Sequence, residues 1–377
     1  MRNGPAEGIV VAGWGTALPK QRVTNEDLAQ RLDTSDEWII ERTGIRERRL
    51  AGPDESSGPL AVTAASKALA HAGLTARDID LIVVATSTPE KPMPATAAIL
   101  AAELGTSAGG FDLNAACAGF GHALVTTASM LSSGVATTAL LVGVDTMSSI
   151  VDPDDRSTAI LFGDGAAALV LADESAVGDS GLGPVGTGPT SPAPGLVASD
   201  IVHDPDGIDL LVVEAGGSGR PADAESVAAG AHYMRMDGRE VFRRAVRAVT
   251  SSVERTLRRG HCRPEDVAVF VPHQANARIV DAALPRLGIP PERTLQSVER
   301  YGNTSAASIP LSLAEAADSG GIVPGDLVLV CGFGAGLSVA TALWRWDVAP
   351  APVARTAAAH TGRQGSDEPD DAGEEVA

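Results

Sequence analysis

The sequence predicts a layered α/β fold in which one plan is used twice, and two pairs of matching segments predict it. Residues 60–86 run from an amphipathic helix (Leu60, Ala64, Ala68, Ala72) through Gly73 and an acidic turn into a strand over Leu81–Ala85. Residues 241–273 repeat that order: Phe242, Val246, Val249, Val253 and Leu257 on one helical face, then Gly260, Glu265-Asp266 and a strand over Val267–Val271. The second pair is Phe162-Gly163-Asp164-Gly165 followed by Ala166–Ala172, and Phe333-Gly334-Ala335-Gly336 followed by Leu337–Leu343. Two echoes in the same order indicate an internal duplication of about half the chain. Strands alternating with helices inside each copy imply sheets covered by helices.

In chain order this gives a first half over residues 1–173, an irregular connection over 174–231, a second half over 232–347 and a tail over 348–377. The connection is assigned from its Gly, Pro, Ser and Asp content. The tail is Ala, Pro, Gly and acidic residues without periodicity, which reads as disorder. The 377 residues are ample for a core, but aromatics are 3% against 44% hydrophobic, so Ala, Val, Leu and Ile have to build it. A net charge of −19 argues against nucleic acid as the main partner. The longest apolar runs, such as Leu81–Ala85 and Leu327–Cys331, are strand-length and give no membrane span. The N-terminus has no basic cluster leading into an apolar run, and three cysteines are too few for a disulfide framework, so the expected location is the cytoplasm.

One of those cysteines is the candidate nucleophile. Cys117 lies in Phe111-Asp112-Leu113-Asn114-Ala115-Ala116-Cys117-Ala118-Gly119-Phe120-Gly121-His122, opening a small-residue helix pattern that runs to about Gly134. The positive end of a helix dipole is expected to favour its thiolate. Pro272-His273-Gln274-Ala275-Asn276 and Tyr301-Gly302-Asn303-Thr304-Ser305 are turns that also precede helix patterns. Cys, His and Asn delivered to three helix starts suit covalent thioester chemistry. Singly, each has an ordinary alternative: a buried small hydrophobe, a turn ligand, a helix cap. Cys262, Cys331 and the remaining histidines, His122 included, keep that ordinary reading.

With these segments in hand, the chain resembles the β-ketoacyl-acyl carrier protein synthase III (3-oxoacyl-acyl carrier protein synthase III) family of the thiolase-fold superfamily. The likeness rests on Asp36-Glu37-Trp38-Ile39-Ile40-Glu41-Arg42-Thr43-Gly44-Ile45-Arg46, on Asn114–Phe120, and on Asp155-Arg156-Ser157-Thr158 leading into Phe162–Gly165. Pro272–Asn276, Tyr301–Pro310 and Gly332–Leu337 complete it, in the family's order and spacing, from about Gly8 to Asp347. The resemblance implies a thiolase-like fold, internally duplicated in five α-β-α-β-α layers, in a homodimer. It implies that Cys117 takes the acyl group of an acyl-coenzyme A and that malonyl-acyl carrier protein then loses carbon dioxide. His273 Nε2–H and the Asn303 amide would stabilise the enolate, which attacks the acyl-cysteine to give a β-ketoacyl product. No metal or redox cofactor is implied.

The same match assigns the oxyanion to the backbone N–H of Cys117 and one from Gly334-Ala335-Gly336. It stacks Trp38 on the adenine, with Arg156 closing the other face, Arg42 near the phosphates and Asn276 on the pantetheine arm. Arg243, Arg278 and Arg286 would surround the tunnel mouth, where a basic face on the helix from Arg239 to Arg259 could steer an acidic carrier protein. Met93 would cap the acyl pocket of the partner subunit. Two other readings stand beside condensation: transfer of the acyl group to an alcohol or amine, and a non-condensing partner that binds the carrier protein. The presence of His273 and Asn303 favours carbon–carbon bond formation over the first, and the presence of Cys117 argues against the second. A papain-like hydrolase is set aside, because Cys-Gly-Ser-Cys-Trp is replaced here by Ala115-Ala116-Cys117-Ala118-Gly119.

Overall fold

Small side chains set how closely this chain stacks its layers. The computed structural model describes residues 6–177 and 192–348. Its first sheet contains β1 (Ile9–Ala17), β2 (Leu81–Ala85), β3 (Gly109–Leu113), β4 (Thr138–Thr146) and β5 (Asp164–Asp173), in the order β1-β5-β4-β2-β3. Its second contains β6 (Gly195–His203), β7 (Val269–Pro272), β8 (Leu327–Gly334) and β9 (Ser338–Arg345), in the order β6-β9-β8-β7, with the short strand Ala6–Glu7 outside β6. β2 runs parallel to β3 and β4, while the β4–β5 and β5–β1 pairs are antiparallel. β7 and β8 are likewise parallel, and β8–β9 and β9–β6 antiparallel. The duplication is therefore visible strand by strand. The counterpart of β3 has shrunk to one bridge between Phe270 and Thr294.

Among the described residues the helices of eight residues or more are α1 (Asp36–Thr43), α2 (Ser57–Ala72), α3 (Thr96–Leu104), α4 (Gly119–Ser132), α5 (Gly238–Arg259), α6 (Ala277–Leu287) and α7 (Ser308–Asp318). α2 and α3 cover the outer face of the first sheet, and α5 and α6 the outer face of the second. α4 and α7 lie between the sheets, where Phe120, Leu124, Leu131, Ile309 and Leu313 form the central core. The five-layer expectation holds. A helix between two sheets has to be apolar on all sides, and α7 buries eight of its eleven residues. The scarcity of aromatics has its reason in α2: Ala64 and Ala68 press onto β1, where a Cβ at Gly15 would meet Ala64 O at 2.4 Å.

The structure corrects the reading of 174–231 as irregular. β6 lies inside that span and pairs with β9 along its whole length, so the second half gains its first strand well before residue 232. A short hairpin, Leu211–Val213 with Met234–Met236, follows it. The expected tail falls, from Ala349 onward, outside the described residues. No local pattern marks β6, because Ser199 and Asp200 break its apolar run and Asp200 is buried only by tertiary contacts. Its carboxylate accepts from Ser252 Oγ at 2.8 Å and Arg255 Nη2 at 2.7 Å, and it ion-pairs with Arg259 at 2.9 Å.

Burial alone would raise the Asp200 pKa, but Arg255, Ser252 and Arg259 together hold it below the usual carboxylate range. A depressed carboxyl contributes stability above its unfolded pKa of about 3.9 and loses it as pH falls through the lower folded value. Asp200→Ala should cost about 3 kcal/mol in urea unfolding at neutral pH, the low end for a broken buried pair because both arginines are partly exposed. The gap to the unmodified protein should close in acid below about pH 3.9.

Candidate active site

A cavity of about 270 Å³ brings Cys117, His273 and Asn303 to one place, with Gly334, Trp38, Arg42, Asn276 and Phe242 also on its wall. Each of the three arrives from a different turn. Cys117 stands just ahead of α4, whose N-cap is Ala118, so the candidate nucleophile lies one residue outside the helix and does not open it. Ala116 before it holds φ +49°. His273 leaves β7, its backbone N–H donating to Cys331 O at 2.8 Å. Asn303 is pinned by its own N–H to Leu161 O (2.8 Å) and by Gly163 N–H to its carbonyl (3.1 Å).

The thiol is not a resting thiolate. Burial pushes Cys117 from 9.0 up to about 12, and the charge of Asp145 acts in the same direction. A helix end offers up to about 2 kcal/mol, or roughly 1.5 pH units, which is too little to reverse that shift. The expected thiolate is corrected to a neutral thiol.

His273 is also neutral, since burial lowers it to about 3. Ser308 Oγ lies 2.6 Å from its Nδ1. Gln274 N–H approaches the same oxygen at 3.4 Å, an arrangement in which the Ser308 hydroxyl can donate to Nδ1 and leave the ring hydrogen on Nε2. Phe333 packs against the imidazole, ring centroids 5.1 Å apart. Asn303 Oδ1 accepts from Ser305 N–H at 2.9 Å, so its NH₂ is what Asn303 offers the cavity. The site thus presents one thiol and two neutral hydrogen-bond donors. Ser308, Ser305 and Asp145 have parts in this arrangement that the sequence reading did not assign. Two of them sit in the Tyr301–Pro310 motif, but their partners are remote in sequence.

The remaining candidates divide. Gly334 backs directly onto Cys117, and a Cβ there would meet Cys117 N at 2.7 Å. Ala335 and Gly336 form the tight turn beyond it and are not on the cavity wall. Ser35 caps α1 by accepting from Trp38 N–H, and Gly44 ends that helix in the left-handed region, so Trp38 and Arg42 are held on a well-defined turn. Arg42 and Arg156 lie 4.5 Å and 4.9 Å from the Trp38 ring. Arg156 therefore rests on Trp38 itself, and an adenine would have to part the two. Asn276 caps α6 through Arg278 N–H and donates to Arg42 O at 3.1 Å, so both ends of its amide are engaged.

Arg278 sits 5.9 Å from the Phe242 ring at the cavity wall, and Arg243 beside Phe242 pairs with Glu240. Arg286 is two turns further along α6, about 12 Å away. The basic face of α5 is narrower than expected, because Arg244 binds Asp204 and Glu240 while Arg255 and Arg259 bind Asp200. Met93 does not enter this chain's own cavity; it is 84% exposed. Cys262 Sγ donates to Gly260 O, and Cys331 accepts from Thr341 within the β8–β9 pair.

Comparison with known proteins points one way. Residues 111–185 match the family described as 3-oxoacyl-[acyl-carrier-protein (ACP)] synthase III, and residues 257–346 match its C-terminal family. The chain is 43% identical over 344 residues to beta-ketoacyl-[acyl-carrier-protein] synthase III of Roseiflexus sp. (strain RS-1), covering 90% of this chain and 99% of the relative. It is 45% identical to the enzyme of that name from Erythrobacter litoralis, covering 89% and 98%. Among solved structures it superposes on 3-oxoacyl-(acyl carrier protein) synthase III from Pseudomonas aeruginosa PAO1 with TM-score 0.78 and 44% identity, covering 90% and 98%. The priming β-ketosynthase of the R1128 polyketide pathway gives TM-score 0.81 and 37% identity, covering 93% and 99%.

Proposed function

The chain belongs to the 3-oxoacyl-acyl carrier protein synthase III family, and on that basis we propose that Cys117, His273 and Asn303 divide its condensation between them. The enzyme is an acyltransferase that joins an acyl-coenzyme A starter to malonyl-acyl carrier protein with loss of carbon dioxide. Cys117 attacks the starter, and its own N–H with the Gly334–Gly336 turn receives the tetrahedral oxyanion. His273 Nε2–H and the Asn303 NH₂ then hold the enolate oxygen left by decarboxylation, and that carbanion attacks the acyl-cysteine. The single observation that carries this reading is the pair of neutral donors beside a thiol. An acyl shuttle to alcohols or amines has no use for an enolate site. The route calls on no metal or redox group, because the thioester carbonyl itself accepts the electrons.

Trp38, Arg42, Arg156 and Asn276 bind the coenzyme A and pantetheine portions in this reading, and Arg243, Arg278 and Arg286 receive the acidic carrier. Trp38→Ala should raise the KM for acyl-coenzyme A about tenfold at unchanged kcat, as loss of roughly 1–3 kcal/mol of base stacking does. A homodimer is supported by β3, which among the described residues pairs only with β2 and leaves one edge open. The Met93 loop lies on that side: Thr96 and Ala97, which follow it, donate their N–H groups to Asp112 of β3. In this reading Met93 reaches a partner's acyl pocket. The buried thiol nucleophile suits a reducing cytoplasm.

Intact-protein mass spectrometry tests the whole reading. Incubation with a panel of acyl-coenzyme A thioesters should add one acyl group at Cys117, and malonyl-acyl carrier protein should remove it as β-ketoacyl carrier appears. An acyl group that persists beside malonyl carrier but moves to an alcohol or amine would replace condensation by plain acyl transfer.

A further inference from the structure

Beside the Asn303 turn lies an arginine that no step of the condensation above uses. Arg48 belongs to the short strand Glu47–Leu50, which pairs antiparallel with Gln21–Thr24. Its side chain is fully buried. Among the described residues its guanidinium donates to neutral acceptors and to no carboxylate. Nη1 donates to Asn25 Oδ1 at 2.9 Å and to Val23 O at 3.4 Å, and Nη2 donates to Ile160 O at 2.6 Å. Glu47, next in sequence, gives its own carboxylate to Arg22. Burial lowers the Arg48 pKa only to about 10, so the group is still a cation at neutral pH.

Ile160 leads into the segment that holds Asn303. Asn303 N–H donates to Leu161 O, Gly163 N–H donates to Asn303 O, and Phe162 and Asn303 form a parallel bridge between those bonds. The stem of Arg48 packs on the glycines of this junction. A Cβ at Gly163 would stand 3.1 Å from Arg48 Cβ, and one at Gly302 would stand 3.4 Å from it. Arg48 thus grips the junction twice, through a carbonyl and through two close backbone approaches.

We propose that Arg48 is a positioning residue for condensation, fixing where the Asn303 amide points by holding Ile160 O and packing on Gly163 and Gly302. This rests on Asn303 as a donor to the enolate oxygen. A buried cation without a counter-charge costs desolvation energy, so it is a poor device for stability alone. What it supplies is geometry. A guanidinium is a planar fork whose donors keep fixed directions, and a hydrogen bond from a charged donor is about twice as strong as a neutral one. The other branch of the fork ends on Asn25, which is itself fully buried and donates to Ile45 O at 2.7 Å and to Asp36 Oδ1 at 2.9 Å. Ile160 is thereby tied to a frame outside the Asn303 turn. Such a residue matters to the step that needs the amide in place. Loading uses the Cys117 sulfur and backbone donors, and does not need it.

Arg48→Met keeps an unbranched apolar stem and removes the fork. Loading of Cys117 is read at saturating acyl-coenzyme A, so that a change passed through Asn25 to α1 and Trp38 does not enter. Condensation is read as a single turnover of enzyme loaded to completion beforehand. R48M should load at the unmodified rate and condense about 100-fold more slowly, as a displacement of about 1 Å at a reacting group does. Arg48→Lys keeps the charge but lacks the fork, so it should show the same split with a smaller loss; it carries the test if R48M does not fold. On top of Asn303→Ala, either substitution should slow condensation no further, because Arg48 acts through that amide. Unchanged condensation in both variants, equal loss of loading and condensation, or a further loss on top of Asn303→Ala overturns the proposal. Condensation by Asn303→Ala at the unmodified rate overturns the reading of Asn303 instead.

Discussion

Cys117→Ala should abolish acyl loading outright, whereas His273→Ala should still load and then fail to condense. The two outcomes follow from where charge develops. Loading needs the sulfur and an oxyanion site made of backbone, neither of which His273 supplies. Decarboxylation places negative charge on the malonyl thioester oxygen, and removing one of its donors should cost about 10²–10³ in rate. Asn303→Ala should follow His273→Ala, because its NH₂ is the second donor. Single-turnover mass spectrometry separates the steps: first the gain on Cys117, then its loss to malonyl carrier. Equal loss of loading in Cys117→Ala and His273→Ala would refute the division of roles. The pH profile carries the same content. His273 is held down to about 3, so it stays neutral from the acid side of neutrality through the alkaline range. Condensation from loaded enzyme should therefore be flat where an ordinary histidine, with a pKa of about 6.5, would titrate.

Gly334→Ala should be nearly as damaging although it removes nothing. Its new Cβ would stand 2.7 Å from Cys117 N and 2.9 Å from Cys117 Cβ, both closer than real carbon contacts allow. Neither atom can rotate away, so the backbone of the nucleophile or of the β8 turn has to shift. A displacement of about 1 Å at reacting groups costs about 100-fold in rate. Overpacking should also cost about 1–3 kcal/mol of stability. Loading rate and thermal melting measure both. Gly219→Ala is the control, since a Cβ at that exposed position meets nothing within 4 Å and should change neither. A Gly334→Ala enzyme that loads normally would mean that the turn is not part of the oxyanion site.

Much of this protein was legible in the chain alone. Helix and strand periods, with their punctuating Gly and acidic turns, revealed the duplicated layers, and the turns around His273 and Asn303 marked two of the three groups that meet at the cavity. Such features are local, carried by residues within one or two turns of each other. β6 was hidden because its central Asp200 looks like a loop residue until Arg255 and Arg259 fold over it. The ionisation of Cys117 is not legible in the sequence, because the helix end lies next to it in the chain whereas the burial that outweighs that end is assembled from the whole molecule. The tautomer of His273 rests on Ser308, 35 residues away, and the contact between Asp145 and the Asn303 turn spans 161 residues. Folding had to bring those groups together before their chemistry existed, because desolvation and hydrogen-bond partners belong to places in space and not to positions along a chain.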